Sequence, residues 1–501
     1  AGFAPTLPII MGLNALTLLA NSSDPSTGWL VSVLVAAIVI ILVLILKFRV
    51  QAFVSLLLAA IFVGLASRTL GLTEVAETIV SGMGGALGFI AIIIGLGAIF
   101  GQMIEHSGGA QSLANGMLKA FGEKRANWAM LLTGFLISIP VFLDVGVVIL
   151  APIIYALARK SGRSVLLYAL PLLAGMAVTH AFVPPTPGPT YVAFALGAPL
   201  GYAILWGVAV GLPTALITIP VCRWLGERFY IEPPAVEEQP DTASGSPGLP
   251  SMGAILAILG IPILMIVVAS FVESSISAGT DEFLKSEEAS KMIAVEERKR
   301  FSEEELVGGR ELTKRETYKL VLPALKKEAG LLSQTILFLG HPVIALLGAT
   351  CMALYFLGSR RGVKGNALME VATKALGPAG IIILVTGAGG VFKQMLVKTE
   401  VGKALAEVLS QYEMPVLLLA WILTTIVRIA QGSATVAMVT GAALIGPILE
   451  AIVVESGVEY SVEQLCLITL TIAAGATGFG HVNDSGFWIV NRYFHMTERE
   501  T

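Results

Sequence analysis

Charge is scarce in this chain. Asp, Glu, Lys and Arg make up 13% of its 501 residues, against roughly 25% in ordinary soluble domains. Hydrophobic residues make up 55%, and mean hydropathy is +0.82. That balance excludes a water-soluble fold and makes the lipid bilayer the expected surroundings. An excess of positive charge is missing as well: the net charge is −3 and the pI about 6.1. No basic surface is left for a nucleic acid, and the Lys and Arg residues cluster in short loops between apolar runs. Cysteine is nearly absent. Cys222, Cys351 and Cys466 lie far apart in apolar stretches, which excludes a disulfide framework and argues against a thiolate metal site. Neither an HExxH zinc motif nor a serine elbow accompanies the few membrane-depth His and Asp residues, which leaves an intramembrane hydrolase as a distant alternative. No cofactor is called for.

What is abundant is apolar length. Runs near 29–46, 51–66, 87–104, 202–222, 252–271, 333–356 and 378–396 each approach the roughly 20 residues that span the hydrocarbon. Phe3–Ala20 is a further apolar segment, read either as an additional span or as a signal-like stretch, so residues 1–28 stand apart from the rest. Positive residues set orientation. The loop with Lys47 and Arg49, the segment with Lys124 and Arg125, the turn with Arg159, Lys160 and Arg163, and the tail with Arg492 and Arg499 all read as cytoplasmic, the C-terminus with them.

Those assignments expose a conflict between Asn127 and Ala158. This apolar run lies between two cytoplasmic clusters, yet two crossings need about 40 residues plus a turn. A re-entrant hairpin fits. Met414–Glu450 has the same shape and is flanked by outside loops, the second carrying Glu455, Glu459 and Glu463, so it reads as a hairpin entering from the opposite face. Two further stretches are interrupted at mid-depth. Residues 165–198 carry Pro184, Pro185, Pro187 and Pro189, four prolines in six residues, which lack donors and clash with the preceding turn, so the helix must break there. Residues 464–492 carry Gly475, Gly478 and Gly480, then the polar run His481 to Gly486. Unwound backbone at such depth survives only around a protein-enclosed polar cavity.

The halves therefore repeat with opposite orientation: three spans, a hairpin and a broken helix, twice. Gly95-Leu-Gly97-Ala-Ile-Phe100-Gly-Gln102-Met103 matches Gly387-Ala-Gly389-Gly-Val-Phe392-Lys-Gln394-Met395, and Leu113-Ala114 matches Leu405-Ala406, at a constant offset of 292. Inverted repeats with paired broken helices mark alternating-access transporters whose site lies at the midplane. The expected domains are a first repeat with one connecting span (29–222), a cytoplasmic linker without fixed structure (223–251), and a second repeat (252–495). A charged helical insert at 272–330 interrupts the second repeat.

Ionisable groups at membrane depth are functional candidates by default. Asp144, in the first hairpin, is a candidate to trade a proton. His180 and His481 stand at corresponding places in the two broken helices and suit substrate binding or proton relay. Arg428 in the second hairpin could meet a substrate carboxylate or a buried acid, or snorkel to the interface. Thr186, Thr190, Ser433, Thr435, Asn483 and Ser485 offer hydroxyl and amide partners for a polyhydroxylated molecule, and helix N-termini at the breaks favour a carboxylate. Asp484 could hold a proton or another cation.

The run HAFVPPTPGPTYVA at His180–Ala193 resembles the proline-rich motif of the gluconate:proton symporters, the GntP-type permeases. GLGAIFGQMIEHSGGAQ, VFLDVGVVILAP, RIAQGSATVA and GFGHVNDSGFW look like the same family, so the resemblance covers most of residues 29–495. It implies a proton-coupled importer of gluconate or a related aldonate in a bacterial plasma membrane. The implied fold is similar to the hairpin-bearing elevator carriers of the ion transporter superfamily, all-α, with scaffold and transport domains and commonly dimeric. Carried onto matching positions, it points to Asp144, His180, Thr186, Gln431, Ser433, Thr435, His481, Asn483 and Asp484. The 272–330 insert and the first 28 residues depart from the family pattern. A sodium-coupled di- or tricarboxylate carrier is the nearest rival, though it needs more positive charge than Arg428 and the histidines supply.

Overall fold

The computed structural model describes residues 25–234, 248–300, 314–411, 415–456 and 459–501, and contains no strand among them. The segment Phe3–Ala20, residues 235–247 of the expected linker and residues 301–313 of the expected insert lie outside the described residues.

Three helices open the first half: α1 (Thr27–Leu46), α2 (Ala52–Ala66) and α3 (Leu72–His106). The α1 start is capped by Ser26, whose hydroxyl accepts from the Trp29 N–H at 3.3 Å. At 35 residues, α3 greatly exceeds the expected 87–104. Glu74 caps its N-terminus by accepting from the Gly71 N–H at 2.7 Å, and so starts the helix well before the continuous apolar run. Next comes α4 (Gly109–Phe121), which buries Ala110, Leu113, Ala114 and Met117 along one stripe. Then α5 (Ala126–Ile137) and α6 (Leu143–Ser161) form the first hairpin around Ser138–Phe142. The broken helix is α7 (Leu166–Phe182) and α8 (Pro187–Leu196), and α9 (Leu200–Arg228) closes the half.

The linker starts later than expected and begins with fixed structure. Ser164 Oγ donates to Phe229 O at 2.9 Å and accepts from the Ile231 N–H at 3.1 Å, and Arg159 Nη1 donates to Pro234 O at 3.0 Å. These bonds fasten the chain after α9 to the start of α7.

The second half opens with α10 (Met252–Ser277) and the charged insert helices α11 (Glu287–Arg300) and α12 (Lys314–Glu328). The expected span 333–356 is in fact two helices, α13 (Leu331–Leu339) and α14 (Pro342–Ala353). Pro342 cannot donate to the preceding turn, and Gly340 lies so close to α10 that a Cβ there would stand 2.3 Å from Met265 O. The half continues with α15 (Gly365–Lys398), α16 (Val401–Gln411), the hairpin α17 (Val416–Gln431) and α18 (Ala434–Ser456), and the broken helix α19 (Val462–Thr477) and α20 (Ser485–Tyr493). By length and composition, 8 helical stretches among the described residues can cross a membrane. The protein is a polytopic all-α membrane protein.

Small residues let the elements approach, as expected where apolar burial alone gives helices no reason to associate. Between α3 and α15, a Cβ on Gly82 would lie 2.8 Å from Val391 Cα, and one on Gly390 2.3 Å from Ala86 Cβ. Between α5 and α7, Cβ atoms on Gly134 and Gly175 would lie 2.2 Å from Leu172 O and 2.1 Å from Leu131 O. The first hairpin sits in one apolar cluster with α4, α7 and α10, and the second in another with α1, α2 and α15. Two cavities lie along the hairpin tips and helix breaks.

Candidate functional site

The first break is short because its donors are few. The Val183 N–H still reaches Thr179 O at 2.9 Å, and Pro184 and Pro185, joined by a cis peptide, have no N–H to satisfy. Thr186 then stands at the start of α8 without capping it, its hydroxyl donating back to Val183 O at 2.7 Å. The Thr190 hydroxyl in turn donates to Thr186 O at 2.7 Å. Both threonines are buried, with their protons spent on the backbone.

At the second hairpin, the chain turns through Gly432 in the left-handed region at φ +77°. A Cβ there would meet Asn483 O at 2.1 Å, so only glycine lets this tip seat on the second break. The seat is tied by three side chains. Arg428, 4% exposed, donates to Gly432 O and to Asp484 Oδ2. Asn483 Nδ2 donates to Ile429 O at 2.7 Å, and His481 Nε2 stands 2.9 Å from the same oxygen. Asp484 also caps α20, its Oδ1 accepting from the Gly486 N–H at 2.9 Å. Gly480 makes room for the ion pair: a Cβ would lie 2.7 Å from Arg428 Nη2.

Between the two hairpins opens a cavity of about 650 Å³. Asp144 and His180 line one side and Ser433, Thr435, Ser485 and the Arg428–Asp484 pair the other. Pro378, Ile381, Ile382 and Val385 of α15 supply an apolar wall. Asp144 is exposed to the cavity and has no hydrogen bond or ion pair among the described residues. His180 Nδ1 is buried without a partner among them. The N-termini of α6, α18 and α20 all reach the cavity, placing their positive dipole ends around it.

Seven of the twelve residues singled out in the sequence thus share one cavity. The others do not. Thr186 lines, with His180, a separate small cavity of about 20 Å³ beside the first hairpin tip. Thr190 faces a third cavity, described below. His481 and Asn483 hold the second hairpin, and the buried Gln431 amide lies off the cavity with no partner among the described residues.

Sequence reasoning missed Phe142, Thr477 and Phe487 on the cavity wall, and Thr501. The last is brought there by a tail fastened through the Tyr155 hydroxyl, which donates to Tyr493 O, and by buried Phe494. It also passed over a charge at depth. Lys393 Nζ in α15 pairs with Glu450 Oε1 of α18 at 2.9 Å and donates to Ala195 O of α8 at 2.8 Å. The signal was present, since Lys393 sits in the repeat motif opposite Gly101.

The model of the GntP family permeases matches residues 29–290 and 318–501. The chain belongs to this family. It is 33% identical over 463 residues to the gluconate permease of Pseudomonas aeruginosa, covering 92% of this chain and 90% of that one. Identity to the low-affinity gluconate transporter of Escherichia coli K12 is 32% over 476 residues, 95% and 94% of the two chains. The L-idonate transporter of the Gnt-II system in the same organism is 30% identical over 469 residues, 94% and 93% of the two chains. Among solved structures, the Alcanivorax borkumensis YdaH transporter is 14% identical, with a TM-score of 0.47 over 86% of this chain and 83% of that one. As a GntP family permease the chain is a transport protein rather than an enzyme. The family match leaves out residues 291–317, inside the charged insert.

Proposed function

We propose that this protein is a proton symporter that imports gluconate or a closely related sugar-acid anion across a bacterial inner membrane, with its C-terminus in the cytoplasm. The observation that carries the reading is the cavity between the hairpins. It offers hydroxyls from Ser433, Thr435 and Ser485 and the N-terminus of α18 to a small hydroxylated carboxylate. Its one arginine is already paired with Asp484. A monoanion therefore suits it better than a di- or tricarboxylate, which would need additional cations. Coupling follows from Asp144. Two negative charges in one low-dielectric cavity repel, so the anion and a proton on Asp144 favour each other's binding, and by linkage the preference is reciprocal. The paired hairpins and broken helices fit an elevator-type exchange between the two faces, in a homodimer.

Uptake of labelled gluconate into proteoliposomes tests this. An inward proton gradient drives accumulation, a sodium gradient of equal size does not, and unlabelled aldonates compete. Accumulation driven by sodium alone would replace the coupling ion, and no gluconate uptake under either gradient would remove the substrate.

A further inference from the structure

A cavity of about 910 Å³ lies at the other end of the first broken helix, between α8, the start of α9, α10 and the α13–α14 bend. The repeat relates it to the site cavity. Phe89 of α3 lines this cavity, and Ile381 of α15, 292 residues further on, lines the other. Phe194 of α8 lines this one, while Gly486 of α20, again 292 residues further on, lines the other. The first broken helix reaches both, with His180 at the site cavity and Thr190 at this one. Its inner wall is aromatic: Phe89 stacks on Phe194 at 5.4 Å and meets His341 edge-on at 6.2 Å. Its rim is basic. Lys326 and Lys327, from the last turn of α12 in the insert, stand beside Glu273. Lys326 Nζ donates to Glu273 Oε1 at 2.6 Å, which leaves the charge of Lys327 in excess among these three groups.

We propose that this cavity is the vestibule through which the substrate anion enters from the face opposite the site cavity, and that Lys327 concentrates anions at its mouth. The proposal rests on the anion-transport reading above. In inverted-repeat carriers, each face presents its own approach to one midplane site, and these two cavities share the first broken helix and are lined at corresponding positions of α3 and α15 and of α8 and α20. A fixed positive charge on a narrow, low-dielectric mouth raises the local concentration of small anions, an effect that salt screens.

Labelling and kinetics test the two parts separately. Leu337 lines this cavity and Ile381 the site cavity, and each is replaced by cysteine in full-length protein whose exposed Cys351 is changed to Ala. In oriented vesicles, a membrane-impermeant maleimide labels Leu337→Cys from one face only and Ile381→Cys only from the other. Labelling of both from the same face overturns the vestibule, as does protection of Leu337→Cys from both faces by lipid filling the cavity. Neither result bears on the substrate. Lys327→Glu is expected to raise the KM for gluconate about tenfold at low ionic strength, with Lys327→Gln intermediate. The difference should shrink to near unity at about 0.5 M salt. An unchanged KM, or one whose rise persists in salt, overturns the role of Lys327. Wild-type protein that takes up no gluconate under any gradient instead removes the functional reading, and leaves the labelling result standing.

Discussion

Arg428 shows how a residue's type can be read correctly and its task still depend on its neighbours. A guanidinium this buried must be paired, and it is, to a carboxylate 56 residues away in the second break. Removing one partner of a buried pair costs about 3–5 kcal/mol, mostly because the other charge is left uncompensated. The Asp484 side chain keeps 23% exposure, so Asp484→Asn belongs at the lower end, about 3 kcal/mol of stability, read as a lowered melting temperature in detergent. The double replacement Arg428→Met with Asp484→Leu should recover most of that stability, since no charge is then stranded, yet leave uptake abolished because the hairpin seat is gone. A double variant as unstable as Asp484→Asn would show that the pair does more than neutralise itself. Asp144 is the contrasting carboxyl, open to the cavity and without a partner among the described residues. Asp144→Asn is expected to leave stability nearly unchanged and to let gluconate equilibrate across the membrane without accumulating. Accumulation that still follows the proton gradient in this variant would move the coupling group elsewhere.

At the scale of elements, the hairpin tips are the most exacting parts. Gly432 needs a left-handed backbone and a bare Cα at once. Alanine there would cost about 1–2 kcal/mol in backbone conformation alone, and its methyl would push against Asn483 O. Gly432→Ala should therefore lower the melting temperature and slow uptake together, whereas Gly84→Ala, with nothing within 4 Å of its Cβ, should do neither. Both hairpins were legible in the sequence because run length and flanking charge disagreed with two full crossings. Both breaks were legible because proline and glycine runs cannot continue a helix. The division of α13 from α14 was not. A lone Pro342 within an apolar run usually kinks a helix, and what separates these two is the close approach of α10 at Gly340, which no local pattern announces. The same limit hid the fate of Thr186 and Thr190. Their type suggested ligands, but their hydroxyl protons bind carbonyls three and four residues back. Lys393 lies in the stretch that served only to align the repeats, and nothing in that local pattern announces its pairing with Glu450 or its bond to Ala195 O.

For the whole molecule, the 292-residue offset gave the architecture, because the same order of spans, hairpin and break appears in both halves of the chain. The insert stands outside that symmetry, as nothing comparable separates α1 from α2. Its central part, residues 291–317, also lies outside the family match. Meanwhile the residues that tie the insert to α10 and α13, Lys326 to Glu273 and Gln334 Nε2 to Lys327 O at 2.9 Å, lie in matched sequence. A transporter of this family therefore has no evident need of 291–317, whereas the base of the insert is held to α10 and carries the lysines of the proposed vestibule. Replacing residues 291–317 with a short Gly-Ser linker is expected to leave gluconate uptake within about twofold of wild type, because a flexible surface connection of changed length costs only on the order of 1 kcal/mol. Uptake lost in a variant that still inserts and melts normally would give that segment a part in transport, and loss of membrane insertion would give it one in assembly.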